Sequence, residues 1–90
     1  MKFALIARDK PGHLDTRKAN RAAHLDYGAQ SGCVVFAGPL LDGTGEMCGS
    51  LIVIEVEDRA AADAWAAGDP YAKAGLFASV EINAWKQVTP

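Results

Sequence analysis

Ninety residues, 50% of them hydrophobic and 22% charged, supply apolar material for one compact core and leave no room for a second domain. Nine lysines plus arginines against eleven aspartates plus glutamates give a formal net charge of −2, and no run of like charges exceeds two residues, so the basic face that a nucleic-acid partner requires is missing. No apolar run approaches the roughly 18 residues of a membrane helix, and a chain this short is expected to gain stability by association with another subunit.

Lys2 to Arg8 is apolar at every inner position and ends in the turn signal Asp9-Lys10-Pro11-Gly12, so it reads as a strand rather than a signal peptide. Asp15 to Ser31 consists of helix formers, with Asp15 or Thr16 as candidate cap and Gly32 placed for a left-handed C-terminal residue. The apolar stripe of this helix, Ala22, Leu25 and Ala29, is thin, and its small residues are expected to lie close to a sheet. Val34 to Ala37 is a second strand, expected to stop at Gly38-Pro39 because proline cannot donate to a ladder. Asp42-Gly43-Thr44-Gly45 reads as a hairpin or loop, and Gly49 to Glu57 as a third strand. Asp58 caps a second helix, Arg59 to Ala67, which Gly68 ends. Asp69-Pro70 opens a further helical turn closed by Gly75. Ala78 to Val88 is the last strand, with Val80, Ile82 and Ala84 alternating with Ser79, Glu81 and Asn83.

The order β-α-β-β-α-β is the split arrangement of ferredoxin-like α+β domains, in which two helices cover one face of a four-stranded antiparallel sheet. Phe3, Leu5 and Ala7 fall on one side of the first strand and Ala4 and Ile6 on the other; Leu51 and Val53 oppose Ile52 and Ile54 in the third. Both faces are therefore apolar, whereas a sheet open to water would alternate cleanly. With no helix left to form a second layer, a homodimer packed sheet to sheet is expected.

Little of the sequence carries recognisable chemistry. In Gly43-Thr44-Gly45-Glu46-Met47-Cys48-Gly49, Cys48 stands where a third phosphate-binding glycine belongs and no lysine follows, so a hairpin is the better reading. His13 and His24 lack metal-ligand spacing, and no serine lies in a GxSxG elbow, so no metal and no acyl-transfer nucleophile are expected. Cys33 and Cys48 have no CxxC spacing and read as reduced thiols in a cytoplasmic protein. His24 shares a helical face with Arg17, Asn20, Arg21 and Gly28, where a lone histidine is ordinarily just solvated. Asp69 is explained as an N-cap, although a carboxylate held by backbone N–H groups stays ionised and can still orient an imidazole. Ser50 and Tyr71 carry hydroxyls able to meet a ligand, or to serve structure alone.

His24-Leu25 preceded by Arg21, Ala37-Gly38-Pro39-Leu40, Gly49-Ser50, and Ala66-Ala67-Gly68-Asp69-Pro70-Tyr71 followed by Ala74-Gly75 together resemble, in order and spacing, the YCII-related (YciI-like) proteins. The similarity spans nearly the whole chain. It implies a ferredoxin-like fold of the dimeric α+β barrel type, paired through its sheets as in the related muconolactone isomerases, and a His-Asp pair that falls on His24 and Asp69. The resemblance further implies proton transfer by that pair, without cofactor or metal, on a small, largely apolar ring compound: an isomerisation or a dehydrohalogenase-like elimination. Arg21 or Ser50 would hold an oxygen, with Gly38, Pro39 and Tyr71 as further substrate contacts. The alternative is a non-catalytic small-molecule-binding or scaffold module, in which the dyad is structural. The two differ at His24, whose ring is open to a cavity in the first case and sealed in the second.

Overall fold

Side-chain alternation sorts the strands into two faces, and the computed structural model, which describes residues 1–90, shows what each face meets. In chain order the elements are β1 (Lys2–Asp9), α1 (Leu14–Ser31), β2 (Val34–Leu41), β3 (Met47–Glu55), α2 (Arg59–Gly68), α3 (Pro70–Lys73) and β4 (Phe77–Trp85). The strands form one antiparallel sheet in the order β2-β3-β1-β4, which is the ferredoxin-like arrangement. Register places Phe3 opposite Ile54 and Leu5 opposite Ile52. These four side chains are buried against Ala62 and Trp65 of α2, at about 1.5–3 kcal/mol for each large side chain removed from water.

The other sheet face carries Ala4, Ile6, Leu51 and Val53, with Phe36 the cross-strand neighbour of Val53. Phe36 and Trp85 meet edge to face with centroids 5.9 Å apart. Val53 is buried, but Leu51, Phe36 and Trp85 remain 36%, 45% and 36% exposed. An antiparallel sheet with one side in water normally presents polar residues there; this one presents aromatic and aliphatic ones.

Several boundaries differ from the sequence reading. β2 continues through Gly38-Pro39 to Leu41, with Pro39 opposite Ser50. It can do so because β2 is an edge strand, where a missing N–H costs least. β3 starts at Met47 and ends at Glu55, and β4 ends at Trp85 rather than Val88. α1 starts at Leu14, so His13 holds the cap position without a side-chain cap bond, and Asp15 instead lies in the first turn, where its charge suits the helix dipole.

Helix α1 also presents a different face from the one its apolar stripe suggested. Ala22, Leu25 and Ala29 stay exposed, while Arg17 is buried and Asn20, His24, Tyr27 and Gly28 are half-buried. Polar partners decide the orientation: Asp9, Ser50, Asp69 and the Trp65 carbonyl each receive a hydrogen bond from α1. Gly68 follows from one of them. It is not left-handed, so it is no glycine cap; a Cβ there would lie 2.5 Å from the Tyr27 hydroxyl, which donates to Trp65 O at 2.7 Å.

Candidate functional site

The site is assembled from the middle of α1, the α2–α3 junction and the ends of β1, β2 and β3. Asp69, 2% exposed, ends α2 and caps α3, and its Oδ1 accepts from the Tyr71 backbone N–H at 2.9 Å. The same oxygen lies 2.8 Å from His24 Nδ1. An ionised carboxylate can only accept, so this contact assigns the proton to Nδ1 and leaves Nε2 as the basic nitrogen of a neutral ring. The imidazole also stacks on Tyr71, centroids 4.0 Å apart and planes 12° from parallel. Tyr71 in turn meets Phe77 edge to face at 6.0 Å. A bond and a stack together fix the ring, and Nε2 has no protein partner.

Arg17 also meets Tyr71. Its Nε and Nη2 donate to Asp9 Oδ2 and Oδ1 at 2.7 and 2.9 Å, and Nη2 also donates to Ser50 Oγ at 2.9 Å. The guanidinium stands 4.6 Å from the Tyr71 ring centroid, within cation–π range. Burial alone would lower the Arg17 pKa, but the hydrogen bonds and charge of Asp9 outweigh it and hold the guanidinium above its ordinary value. Burial pushes the Tyr71 phenol up against the opposing charges of Arg17 and Arg21, so it is protonated and able to donate at neutral pH.

Two hollows flank His24. A cavity of about 140 Å³ is lined by Arg17, Arg21, His24, Gly38, Pro39, Met47, Ser50 and Tyr71, among others. A more apolar cleft of about 320 Å³ is lined by Leu25, Gly28 and Ala29 of α1 and by Val34 and Ala37 of β2, with Trp65 of α2 also lining it. His24, Leu25, Ala37 and Ile52 line both. The structure thus brings Arg21, His24, Gly38, Pro39, Ser50 and Tyr71 to one cavity, with Asp69 bonded to the histidine ring. His13 lies apart, its Nδ1 2.9 Å from Pro11 O.

Sequence reasoning missed Arg17, Asp9, Met47 and Trp65 as site residues. Arg17 sits two helical turns before His24, a spacing that was legible. Asp9 read only as turn chemistry, and nothing local links Trp65 to the site. Trp65, a lining residue of the apolar cleft, has its Nε1 buried without a hydrogen-bond partner.

Asp69→Asn separates the two bonds that Oδ1 makes. The amide oxygen can still accept from Tyr71 N, so denaturant melts are expected to show a loss of at most about 1 kcal/mol. The charge facing the ring is removed, so turnover per folded molecule in any reaction using His24 is expected to fall much further than stability does. A large loss of stability with unchanged turnover per folded molecule would leave Asp69 as a cap alone.

A four-stranded antiparallel sheet in the order β2-β3-β1-β4 with its connecting helices defines the class of ferredoxin-like α+β domains. The YCII-related domain matches residues 1–86, and the chain belongs to that family. It is 34% identical over 97 aligned positions to protein YciI of Escherichia coli, covering 98% of this chain and 99% of that one. An uncharacterised protein of Haemophilus influenzae is 33% identical with the same coverage. Among solved structures, the 5-chloro-2-hydroxyhydroquinone dehydrochlorinase of Burkholderia phenoliruptrix, in complex with 2,5-dihydroxybenzoquinone, superposes with a TM-score of 0.89 at 37% identity, covering 96% and 94% of the two chains. An antibiotic biosynthesis monooxygenase-type protein of Bacteroides thetaiotaomicron, at 13% identity and a TM-score of 0.61 over 100% and 90% of the two chains, shares the fold alone.

Proposed function

We propose that this chain is a proton-transfer enzyme acting on a small ring compound, with His24 as general base and acid and Asp69 as the group that orients its ring. The observation that carries this reading is the divided imidazole: Nδ1 is held at 2.8 Å by a buried carboxylate, while Nε2 is free on a side chain lining two hollows. A purely structural histidine would have both nitrogens satisfied. The size fits as well, since an apolar cavity of about 150 Å³ holds benzene and the polar cavity here is about 140 Å³.

Similarity to a dehydrochlorinase favours elimination of a halide over simple isomerisation. For a chlorinated hydroxyhydroquinone the balance closes without an oxidant. One ring hydroxyl loses its proton to His24 Nε2, and the same nitrogen returns it to the carbon bearing chlorine. Chloride then leaves with the C–Cl electron pair as a second hydroxyl ionises, so C–Cl becomes C–H while the ring rises to the quinone level. Asp69 stabilises the imidazolium between the two transfers. Chloride release and quinone absorbance, followed for a panel of halogenated hydroquinones with wild type beside His24→Ala, test the reading; no turnover of any member by wild type would end it.

The proposed working form is a homodimer packed through the exposed sheet face. Leu51, Phe36 and Trp85, each more than a third exposed, support it, because a two-fold sheet-to-sheet pairing would cover both copies' apolar faces at once. Light scattering at micromolar concentration is expected to give at least twice the 9.5 kDa of one chain. A monomer mass would remove the proposal.

A further inference from the structure

Arg17 is the chain's one buried cation, 3% exposed, and its arrangement exceeds what packing requires. A buried ion pair is often replaceable by apolar side chains without loss of stability, yet this one faces a cavity with donors to spare. Asp9 takes Nε and one hydrogen of Nη2, and Ser50 Oγ accepts from Nη2; neither takes the hydrogens of Nη1. Ser50, having accepted, makes no donor bond of its own. Both residues line the 140 Å³ cavity that His24 and the protonated Tyr71 phenol also line. Asp9 fixes the guanidinium fork in advance, so no reorganisation is needed when a negative oxygen arrives.

We propose that Arg17 and Ser50 together bind an ionised ring oxygen of the substrate, which places the substrate in the class of acidic phenols and enols. This deepens the proton-transfer reading and rests on it for its catalytic sense: the oxygen that Arg17 and Ser50 hold is the one whose charge develops as His24 removes its proton. Arg21, exposed at the rim of the same cavity, adds positive potential without a fixed geometry. A ring lacking an acidic hydroxyl would cover the Nη1 and Ser50 donors without giving them an anionic acceptor and be rejected on that ground.

The probe is 2,5-dihydroxybenzoquinone, which is anionic at neutral pH, with binding followed by calorimetry. Arg17→Lys, with native circular dichroism, is expected to weaken binding about 10- to 100-fold, since a charge-assisted bond is lost and an ammonium cannot reproduce the fork. Ser50→Ala, expected to fold whatever Arg17→Lys does, weakens it about 5- to 10-fold. His24→Gln is expected to retain binding within about threefold while lowering turnover about 10²- to 10⁴-fold. Unchanged affinity in a folded Arg17→Lys or in Ser50→Ala, or no binding by wild type, overturns the proposal. Arg17- and Ser50-dependent binding without turnover of any substrate by wild type would sustain the anion site and remove the enzyme reading alone.

Discussion

His24→Gln is expected to lower turnover by about 10²- to 10⁴-fold, the range that general acid–base catalysis supplies, with little change in stability. Glutamine can offer an N–H toward Asp69, so the carboxylate keeps a partner in addition to the Tyr71 N–H that already holds it at 2.9 Å. It has no nitrogen able to accept and return a proton, and it cannot stack on Tyr71 as the imidazole does at 4.0 Å. The loss is therefore expected in kcat, with KM changed far less, because ring binding rests on other walls of the cavity. Chloride release measured on folded protein, with midpoints from urea melts as the control, checks it. A rate within threefold of wild type would show that His24 moves no proton in the slow step.

What the sequence showed of this arrangement, and what it hid, has a physical explanation. The split-βαβ order and the two apolar sheet faces were legible because strand periodicity is local: Phe3 and Leu5 against Ala4 and Ile6, or Ile52 and Ile54 against Leu51 and Val53, decide faces without reference to the rest of the chain. Caps at Asp58 and Asp69 were legible for the same reason, and both accept the expected backbone N–H.

The orientation of α1 was not legible. Its hydrophobic stripe is weak, and the inward face is chosen by partners far away in sequence: Asp69 for His24, Ser50 for Arg17 and the Trp65 carbonyl for Tyr27. A helix that buries polar groups against polar partners breaks the rule that the apolar side faces in, and such breaks concentrate where function lies. Pro39 misled differently. Its power to end a strand depends on whether the strand is central or at an edge, and β2 lies at the edge only because the third and first strands pair beside it.

Arg17→Met is expected to destabilise the domain by about 3–5 kcal/mol, because it strands a carboxylate that has been taken out of water. Asp9 and Arg17 side chains are 6% and 3% exposed, so water cannot readily replace the lost bidentate partner. Against the roughly 5–15 kcal/mol that holds a small domain together, a loss of this size leaves little margin in a chain of 90 residues. Asp9→Leu combined with Arg17→Met removes both charges and puts apolar side chains in their place. The double variant is expected to recover most of the loss, ending within about 1–2 kcal/mol of wild type, since the attraction of a buried pair barely repays its desolvation. Urea denaturation of the four proteins gives the coupling directly. A double variant no more stable than Arg17→Met would show that the guanidinium is held by packing and cation–π contact with Tyr71 rather than by Asp9. Recovered stability together with lost binding of 2,5-dihydroxybenzoquinone would separate the two roles: a fold able to dispense with the pair would be retaining it for the anion that Nη1 and Ser50 are placed to receive.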